Sequence, residues 1–217
     1  MAPPGTLFEY LAAFVTIVVA LAIGDMVTSL HRLLRARRRV RWRPLPLLLA
    51  AFVLLALFTT FFEIWLLTEI DRISYLGLVG LMAPTIATFL LASAVLPDEV
   101  PPEGLDLDAF YFGERRYLFA VMGVAVALNI ATAVPRDQFW MLQDPGFLWG
   151  FYVPLNALLF VAIGAMWKSA RPWVHWLGLA AMFAAAAIGF SSWKVRGEPA
   201  VTPAAIAVAS PAAAPGR

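Results

Sequence analysis

The chain has 217 residues, of which 62% are hydrophobic and only 14% charged, and its mean hydropathy is +0.80. Soluble domains are about half apolar and about a quarter charged, so this composition indicates a membrane protein and excludes most soluble catalytic folds. The net charge is +2 and the chain has no cysteine, which excludes disulfides, iron–sulfur clusters, thiolate metal sites and cysteine nucleophiles.

Six apolar stretches, each closed by charge or proline, follow one another along the chain. About 20 apolar residues cross a bilayer as a helix, and a helix satisfies its own backbone groups where water is absent. We therefore predict an all-α fold, a six-helix transmembrane bundle within residues 1–197, followed by a disordered Ala/Pro-rich tail, 198–217. The predicted spans are residues 7–30, 45–67, 76–96, 117–134, 147–166 and 173–190.

Positive charge is concentrated in alternate loops. Eleven of the 16 lysines and arginines follow the first, third and fifth spans, and seven of these lie between Arg32 and Arg43. Because basic residues in short loops stay in the cytoplasm, this bias predicts that both termini lie outside the cytoplasm. The basic surplus is explained by topology, so we do not expect a nucleic-acid partner.

The longest loop, residues 97–114, is acidic before it becomes aromatic. It contains Asp98, Asp106 and Asp108, and then Phe110, Tyr111 and Phe112. Asp106 or Asp108 is a suitable N-cap for a short helix that lays the three rings at the membrane interface. We interpret this segment as an anchor and not as a catalytic motif.

Three carboxylates fall inside predicted spans, where a charge is expensive and marks a candidate functional site. Glu9 and Glu63 lie near the outer ends of the first two spans. They either extend to the outer interface or form a pair that holds a proton or a cation. Asp25 lies deeper, and we expect it to face other helices and to pair with His175, Ser29 or a basic residue. Its role is either this structural pairing or proton handling.

Other polar residues in the spans complete the candidate site. Asn129 and Asn156 are expected to form hydrogen bonds between helices. The only two histidines, His31 and His175, lie near the same membrane side, so a bis-histidine haem, or a zinc site with Asp25, is a geometric alternative to ordinary packing. No spacing motif supports either, and we predict no cofactor.

Proline and small residues suggest how the helices pack. Pro84 and Pro154 predict kinks in the third and fifth spans. Ala20 with Gly24, and Ala181 and Ala185 with Gly189, recur at four-residue spacing, which allows close helix approach within the bundle or between subunits.

Four sequence segments carry a family resemblance. The chain reads F-E-Y-L at residues 8–11, R-A-R-R-R-V-R at 35–41, L-P-D at 96–98 and Y-F-G-E-R-R-Y at 111–117. This pattern, over about the first 130 residues, resembles a family of uncharacterised bacterial multi-span inner-membrane proteins. Phe61 and Phe62 depart from it, because such proteins often have paired tryptophans there. The resemblance implies a bacterial inner membrane, so that both termini would lie in the periplasm, and it implies no particular activity.

These patterns favour a non-enzymatic membrane component with a structural, assembly or regulatory role. It would act through helix packing with itself or with a membrane protein partner in the lipid bilayer. The alternative is a small proton- or cation-coupled transporter or channel subunit that uses Asp25, Glu9 and Glu63. An enzyme acting on lipid is disfavoured because no nucleophile and base pair is evident.

Overall fold

The computed structural model describes residues 5–63, 75–133 and 145–192. The chain divides into two compact units, Met1–Ala185 and Ala186–Arg217, and the packing described below lies within the first. The predicted tail, 198–217, and most of the segment between the fourth and fifth predicted spans fall outside the described residues.

The described residues form seven helices, one π-helical turn and two short strands. In chain order these are α1 (Gly5–Arg35), β1 (Val40–Arg41), α2 (Pro44–Glu63), α3 (Tyr75–Ala94), β2 (Leu105–Asp106), α4 (Leu107–Ala133), α5 (Pro145–Phe147), the π-helical turn Leu148–Tyr152, α6 (Val153–Lys168) and α7 (Pro172–Ser192). The elements from α5 to α6 are continuous.

The all-α prediction is confirmed, since a helix coincides with each of the six apolar stretches. The largest difference is at α4, which begins at Leu107 and not near residue 117. The predicted separate short helix is wrong, because the buried positions Leu107, Tyr111 and Leu118 continue one helical face through the charged residues. α4 therefore extends from the acidic loop into the apolar stretch without a break.

The two prolines occupy different places. Pro84 lies inside α3, where it removes a helical hydrogen bond as predicted for a kink. Pro154 lies in the first turn of α6, directly after the π-helical turn Leu148–Tyr152 and inside the continuous helical stretch that begins at α5. A proline nitrogen has no hydrogen to donate, so the irregular helical turn coincides with the donor that Pro154 lacks.

One core joins the helices of the first unit. Helix α3 packs against α1, α2 and α4, and α6 packs against α4. The buried residues of α1 recur every three or four positions, as one helical face requires: Leu11, Val15, Val19, Ala22, Met26, Ser29 and Leu33. Gly178 of α7 lies so close to Met166 of α6 that a Cβ would overlap its sulfur.

The segments after α1, α3 and α6 meet at one end of the bundle. β1 pairs in parallel with β2, and the backbone N–H of Leu105 donates to the carbonyl of Arg39 at 2.9 Å. His175, at the start of α7, contacts Tyr111 of α4 and the carbonyl of Ser169. The three basic segments of the sequence thus share one end, which we call the basic end.

Three of the described helical segments are long and apolar enough to cross a membrane: Phe8–Arg35, Pro44–Phe62 and Leu148–Lys168. The apolar helices Leu78–Ala94 and Pro172–Ile188 are shorter. Together with the composition, these helices support an α-helical membrane protein.

Candidate functional site

The polar side chains that the structure brings together lie mainly at the basic end, where α4 starts. Asp106 precedes α4, and its Oδ1 accepts from the backbone N–H of Asp108 at 2.9 Å and of Ala109 at 3.4 Å. This is the geometry of an N-cap, so the prediction that Asp106 or Asp108 caps a helix is confirmed for Asp106. Desolvation opposes ionisation of Asp106, but these two N–H groups and the charges of Arg41 and Arg43 lower its pKa below the ordinary value of 3.8.

Two ion pairs connect the loop after α1 to the start of α4. Arg41 lies 3.3 Å from Asp106, and Arg43 lies 3.6 Å from Asp108. Both arginine side chains are largely exposed, at 75% and 49%, so water screens these pairs and each adds little stability. Their positions show that the loop after α1 lies against the start of α4.

Asp98 connects the loop after α3 to the end of α1. The buried hydroxyl of Ser29 donates to Oδ1 of Asp98 at 3.0 Å, and Arg32 donates to its carbonyl oxygen, also at 3.0 Å. Ser29 and Arg32 are one turn apart and share a side of α1. Together with the two ion pairs and the pairing of β1 with β2, these contacts connect the loops at the basic end, and we call them the loop clamp. The loop clamp consists of β1 and β2 with Ser29, Arg32, Arg41, Arg43, Asp98, Asp106 and Asp108.

Gly104 gives the loop clamp its backbone fit. Its φ is +104°, a conformation that L side chains rarely adopt. A Cβ at this position would lie 2.9 Å from the carbonyl oxygen of Arg39, which accepts from Leu105. A side chain at position 104 would therefore strain the backbone and push the two loops apart.

Directly beneath the loop clamp, Tyr111 and His175 form a buried hydrogen bond, which we call the histidine pair. The Tyr111 hydroxyl lies 2.8 Å from Nδ1, and Nε2 lies 2.9 Å from the carbonyl oxygen of Ser169. A carbonyl only accepts, so Nε2 carries a hydrogen; in the neutral ring Nδ1 then accepts from Tyr111. Relative exposure is 0% for His175 and 1% for Tyr111.

Aromatic rings surround the imidazole of His175. The ring centroids of Phe112, Tyr111 and Phe119 lie 5.0, 5.2 and 5.6 Å from that of His175. The first two are edge-to-face contacts, an arrangement that aromatic pairs favour. The histidine pair therefore joins α4, α7 and the turn between α6 and α7 among aromatic rings.

Two buried polar atoms near this pair have no hydrogen-bond partner in the part of the chain that the structure describes. They are Oδ1 of Asp108 and Nε of Arg115. Another nitrogen of Arg115 donates to the carbonyl oxygen of Phe112 at 2.6 Å. The two residues are two turns apart on α4, on the same side of the helix as Tyr111. The basic end therefore contains buried polar atoms that form no hydrogen bond within the described residues.

Among the predicted site residues, Asp25 has no hydrogen bond or ion pair within the described residues. It is half-buried at the edge of the inward face of α1. Its expected partners are engaged elsewhere, since Ser29 bonds Asp98 and His175 bonds Tyr111. The predicted pairing of Asp25 with either residue is therefore not what the structure shows.

The other predicted residues do not converge on one site. Glu9 is exposed near the start of α1, and the side chain of Glu63 lies outside the described residues. Asn156 donates to the carbonyl of Tyr152 at 2.8 Å, so this bond lies within one helical stretch and not between helices. Asn129 is half-buried in α4 and has an interaction partner.

The geometric case for a haem or zinc site is not supported by the positions of the histidines. His31 is exposed, whereas both ring nitrogens of His175 are engaged by protein atoms. No group of three or more His, Asp or Glu residues that could hold a metal occurs in the described ranges. A ligand at His175 would have to displace Tyr111 or Ser169.

Tyr111 and Asp98 are the site residues whose roles the sequence did not indicate. Tyr111 was expected at the membrane interface as an anchor, but it is buried in the bundle. The helical spacing of Leu107, Tyr111 and Leu118 could have indicated that Tyr111 is buried, because these residues share one helical face with Met122 and Ala125. Asp98 had no such signal, because its partner Ser29 lies 69 residues away.

The chain matches no protein-family model, no curated protein and no solved structure. Its class rests on its own fold and composition, which are those of an α-helical membrane protein.

Proposed function

We propose that this protein is a non-enzymatic membrane component that assembles with a second copy of itself. The contact would use the face of α1 that points away from its own bundle. The supporting observation is a stripe of small residues at four-residue spacing, all exposed on α1: Thr16, Ala20, Gly24 and Thr28. In a bilayer, where water does not drive helices together, such stripes permit the close backbone approach on which helix association depends.

The surroundings of the stripe fit a packing surface. A Cβ on Gly24 would meet no atom within 4 Å, so nothing in the described part of the chain covers it. The Thr28 hydroxyl donates to the carbonyl of Gly24 at 2.7 Å, which satisfies that hydroxyl within its own helix. Ile17, Leu21 and Val27 border the stripe and are each more than half exposed. A partner helix would find a shallow apolar groove there.

A second apolar surface lies on another side of the first unit. An open depression of about 310 Å³ lies between α4 and α6. Small residues of both helices line it, namely Ala120, Gly123, Ala127 and Gly164, together with larger apolar side chains such as Phe160 and Trp167. Apolar outer surfaces with small residues favour assembly over a water-lined transport path.

The test is a glycine substitution with a matched control. Gly24→Leu fills the stripe, while Gly113→Leu changes an exposed glycine of α4 whose Cβ also meets nothing within 4 Å. In liposomes at graded protein-to-lipid ratios, single-molecule photobleaching should show dimers for the native chain and for Gly113→Leu. Gly24→Leu should weaken dimerisation at least about tenfold. A native chain that remains monomeric at every ratio would contradict the proposal.

For the membrane arrangement we propose six spans in a bacterial inner membrane with both termini in the periplasm. This arrangement is supported by the 11 basic residues of the segments that meet at the basic end and by the positive-inside rule. Reporter fusions after Arg43 and after Arg217 test it. The first should report the cytoplasm and the second the periplasm, whereas the same compartment for both would contradict an even number of spans.

A second candidate function, proton or cation coupling, is favoured by one observation. Asp25 is a half-buried carboxylate in a candidate span and has no partner among the described residues. If this function holds, Asp25→Asn should abolish a pH-dependent flux in liposomes and should leave dimerisation unchanged. Empty liposomes provide the baseline for this measurement, and a flux through the native protein that does not exceed the baseline rejects coupling.

A further inference from the structure

The seven arginines between Arg32 and Arg43, at the end of α1 and in the loop after it, divide into two groups with different surroundings. Arg32 is held by Asp98, Arg41 by Asp106 and Arg43 by Asp108. Arg35, Arg37, Arg38 and Arg39 are exposed and form no ion pair within the described residues. We call these last four, which lie at the end of α1 and in the turn after it, the basic turn.

The basic turn is built on a fixed backbone. The N–H of Arg37 donates to the carbonyl of Leu34, and the N–H of Arg39 donates to the carbonyl of Ala36 at 2.8 Å. The carbonyl of Arg39 accepts from Leu105, which attaches the turn to the loop clamp. Four guanidinium groups are therefore presented from an ordered scaffold.

None of the acidic residues in the described ranges forms an ion pair with the basic turn. Asp98, Asp106 and Asp108 already contact other groups in the loop clamp. Glu99 and Glu103 are exposed on the neighbouring loop, and neither forms an ion pair with the turn within the described ranges. The positive charges of the basic turn can therefore bind an anion that is not part of the protein.

The depth of the basic turn relative to the membrane indicates which anion binds there. Helix α1 has 31 residues and is therefore about 46 Å long at 1.5 Å per residue, which exceeds a hydrocarbon core of about 30 Å. Its last turns thus reach the headgroup layer. Trp173 and Trp176 are exposed at 57% and 45% near the start of α7, at the same end of the bundle, and tryptophan is enriched at that depth.

We propose that the basic turn binds the phosphate groups of anionic phospholipids. Clusters of four or more basic residues directly beside a membrane helix attract anionic headgroups, and the guanidinium group forms two parallel hydrogen bonds to a phosphate. The proposal rests on α1 crossing a membrane, as the proposed function does, but it does not involve the small-residue stripe of α1. Its failure and the failure of dimerisation are therefore separate results.

Short-chain phosphatidylglycerol and phosphatidylcholine with identical acyl chains test the proposal on the full-length protein in a neutral detergent. Binding is followed by tryptophan fluorescence. We expect phosphatidylglycerol to bind at least about tenfold more tightly than phosphatidylcholine, with an affinity that falls as salt rises. Equal binding of the two lipids would overturn the proposal, as would an acidic peptide that binds the turn more tightly than phosphatidylglycerol.

Two double variants each remove two positive charges from the same loop. Arg37→Gln with Arg38→Gln should weaken phosphatidylglycerol binding about tenfold, whereas Arg41→Gln with Arg43→Gln should change it less than about threefold, since these two are already paired. A third variant, Arg37→Lys with Arg38→Lys, keeps both positive charges and should retain most of the binding. Equal losses in the two glutamine variants would show that only net charge matters and would overturn the assignment to the basic turn.

Discussion

The histidine pair and the loop clamp hold the same end of the bundle by different means. The histidine pair is one buried hydrogen bond inside an aromatic shell. The loop clamp has more contacts, but its arginines are exposed to water. Because water competes for exposed charges and not for buried groups, we expect the single buried bond to stabilise the fold more than the two ion pairs together.

Replacing His175 with alanine should have the largest effect. The substitution leaves a cavity among three aromatic rings and removes the partners of the Tyr111 hydroxyl and the Ser169 carbonyl. A loss of roughly 3 kcal/mol or more in the free energy of unfolding is expected, measured by denaturant titration in detergent. A loss below that of the next variant would mean that the histidine pair is not a buried anchor.

Tyr111→Phe separates the hydrogen bond from the packing. The ring remains, but Nδ1 of His175 loses its donor, so a loss of about 1–3 kcal/mol is expected. The matched control is Tyr117→Phe, which removes a hydroxyl from an exposed tyrosine on the same helix. Equal stabilities for the two variants would show that the Tyr111 hydroxyl contributes nothing.

Gly104→Ala tests the backbone of the loop clamp without touching a charge. The positive φ and the contact with the Arg39 carbonyl together make a loss of about 1–3 kcal/mol the expected result. Gly113→Ala provides the control, since its Cβ meets nothing within 4 Å and alanine favours a helix. If Gly104→Ala is neutral, the loops are not held at the observed distance.

The ionised form of Asp106 gives the loop clamp a dependence on pH. Its folded-state pKa lies below 3.8, so its contribution is present above that value and is lost as the pH falls through the lowered pKa. Asp106→Asn keeps a capping side chain but cannot titrate at this pH. The stability difference between the native chain and this variant should therefore shrink on acidification, and a constant difference would contradict the shift.

Arg43→Gln should have the smallest effect. The pair with Asp108 is 3.6 Å long and about half exposed on the arginine side, so a change within about 0.5 kcal/mol is expected. A much larger loss, measured by the same titration, would mean that the exposed pairs and not the histidine pair dominate the stability of the basic end.

Local sequence determined the secondary structure and part of the basic end. Runs of about 20 apolar residues have only the helix as a stable form in lipid, which explains why the predicted stretches and the helices agree. The cap at Asp106 was also predictable, because capping depends on residues two and three positions away. The sequence does not predict the start of α4 correctly, because Arg115 and Arg116 mark the start of the fourth apolar stretch, whereas the buried face of the helix begins at Leu107.

Only the tertiary structure decided which polar groups meet. His175 and Tyr111 are 64 residues apart, and Ser29 and Asp98 are 69 apart, so no local pattern specifies these partners. The periodicity of a helix defines its buried face but not the neighbour against which that face packs. For the same reason the sequence predicted His175, Ser29 or a basic residue as the partner of Asp25, whereas the tertiary structure pairs Ser29 with Asp98 and His175 with Tyr111 and leaves the small-residue stripe of α1 exposed.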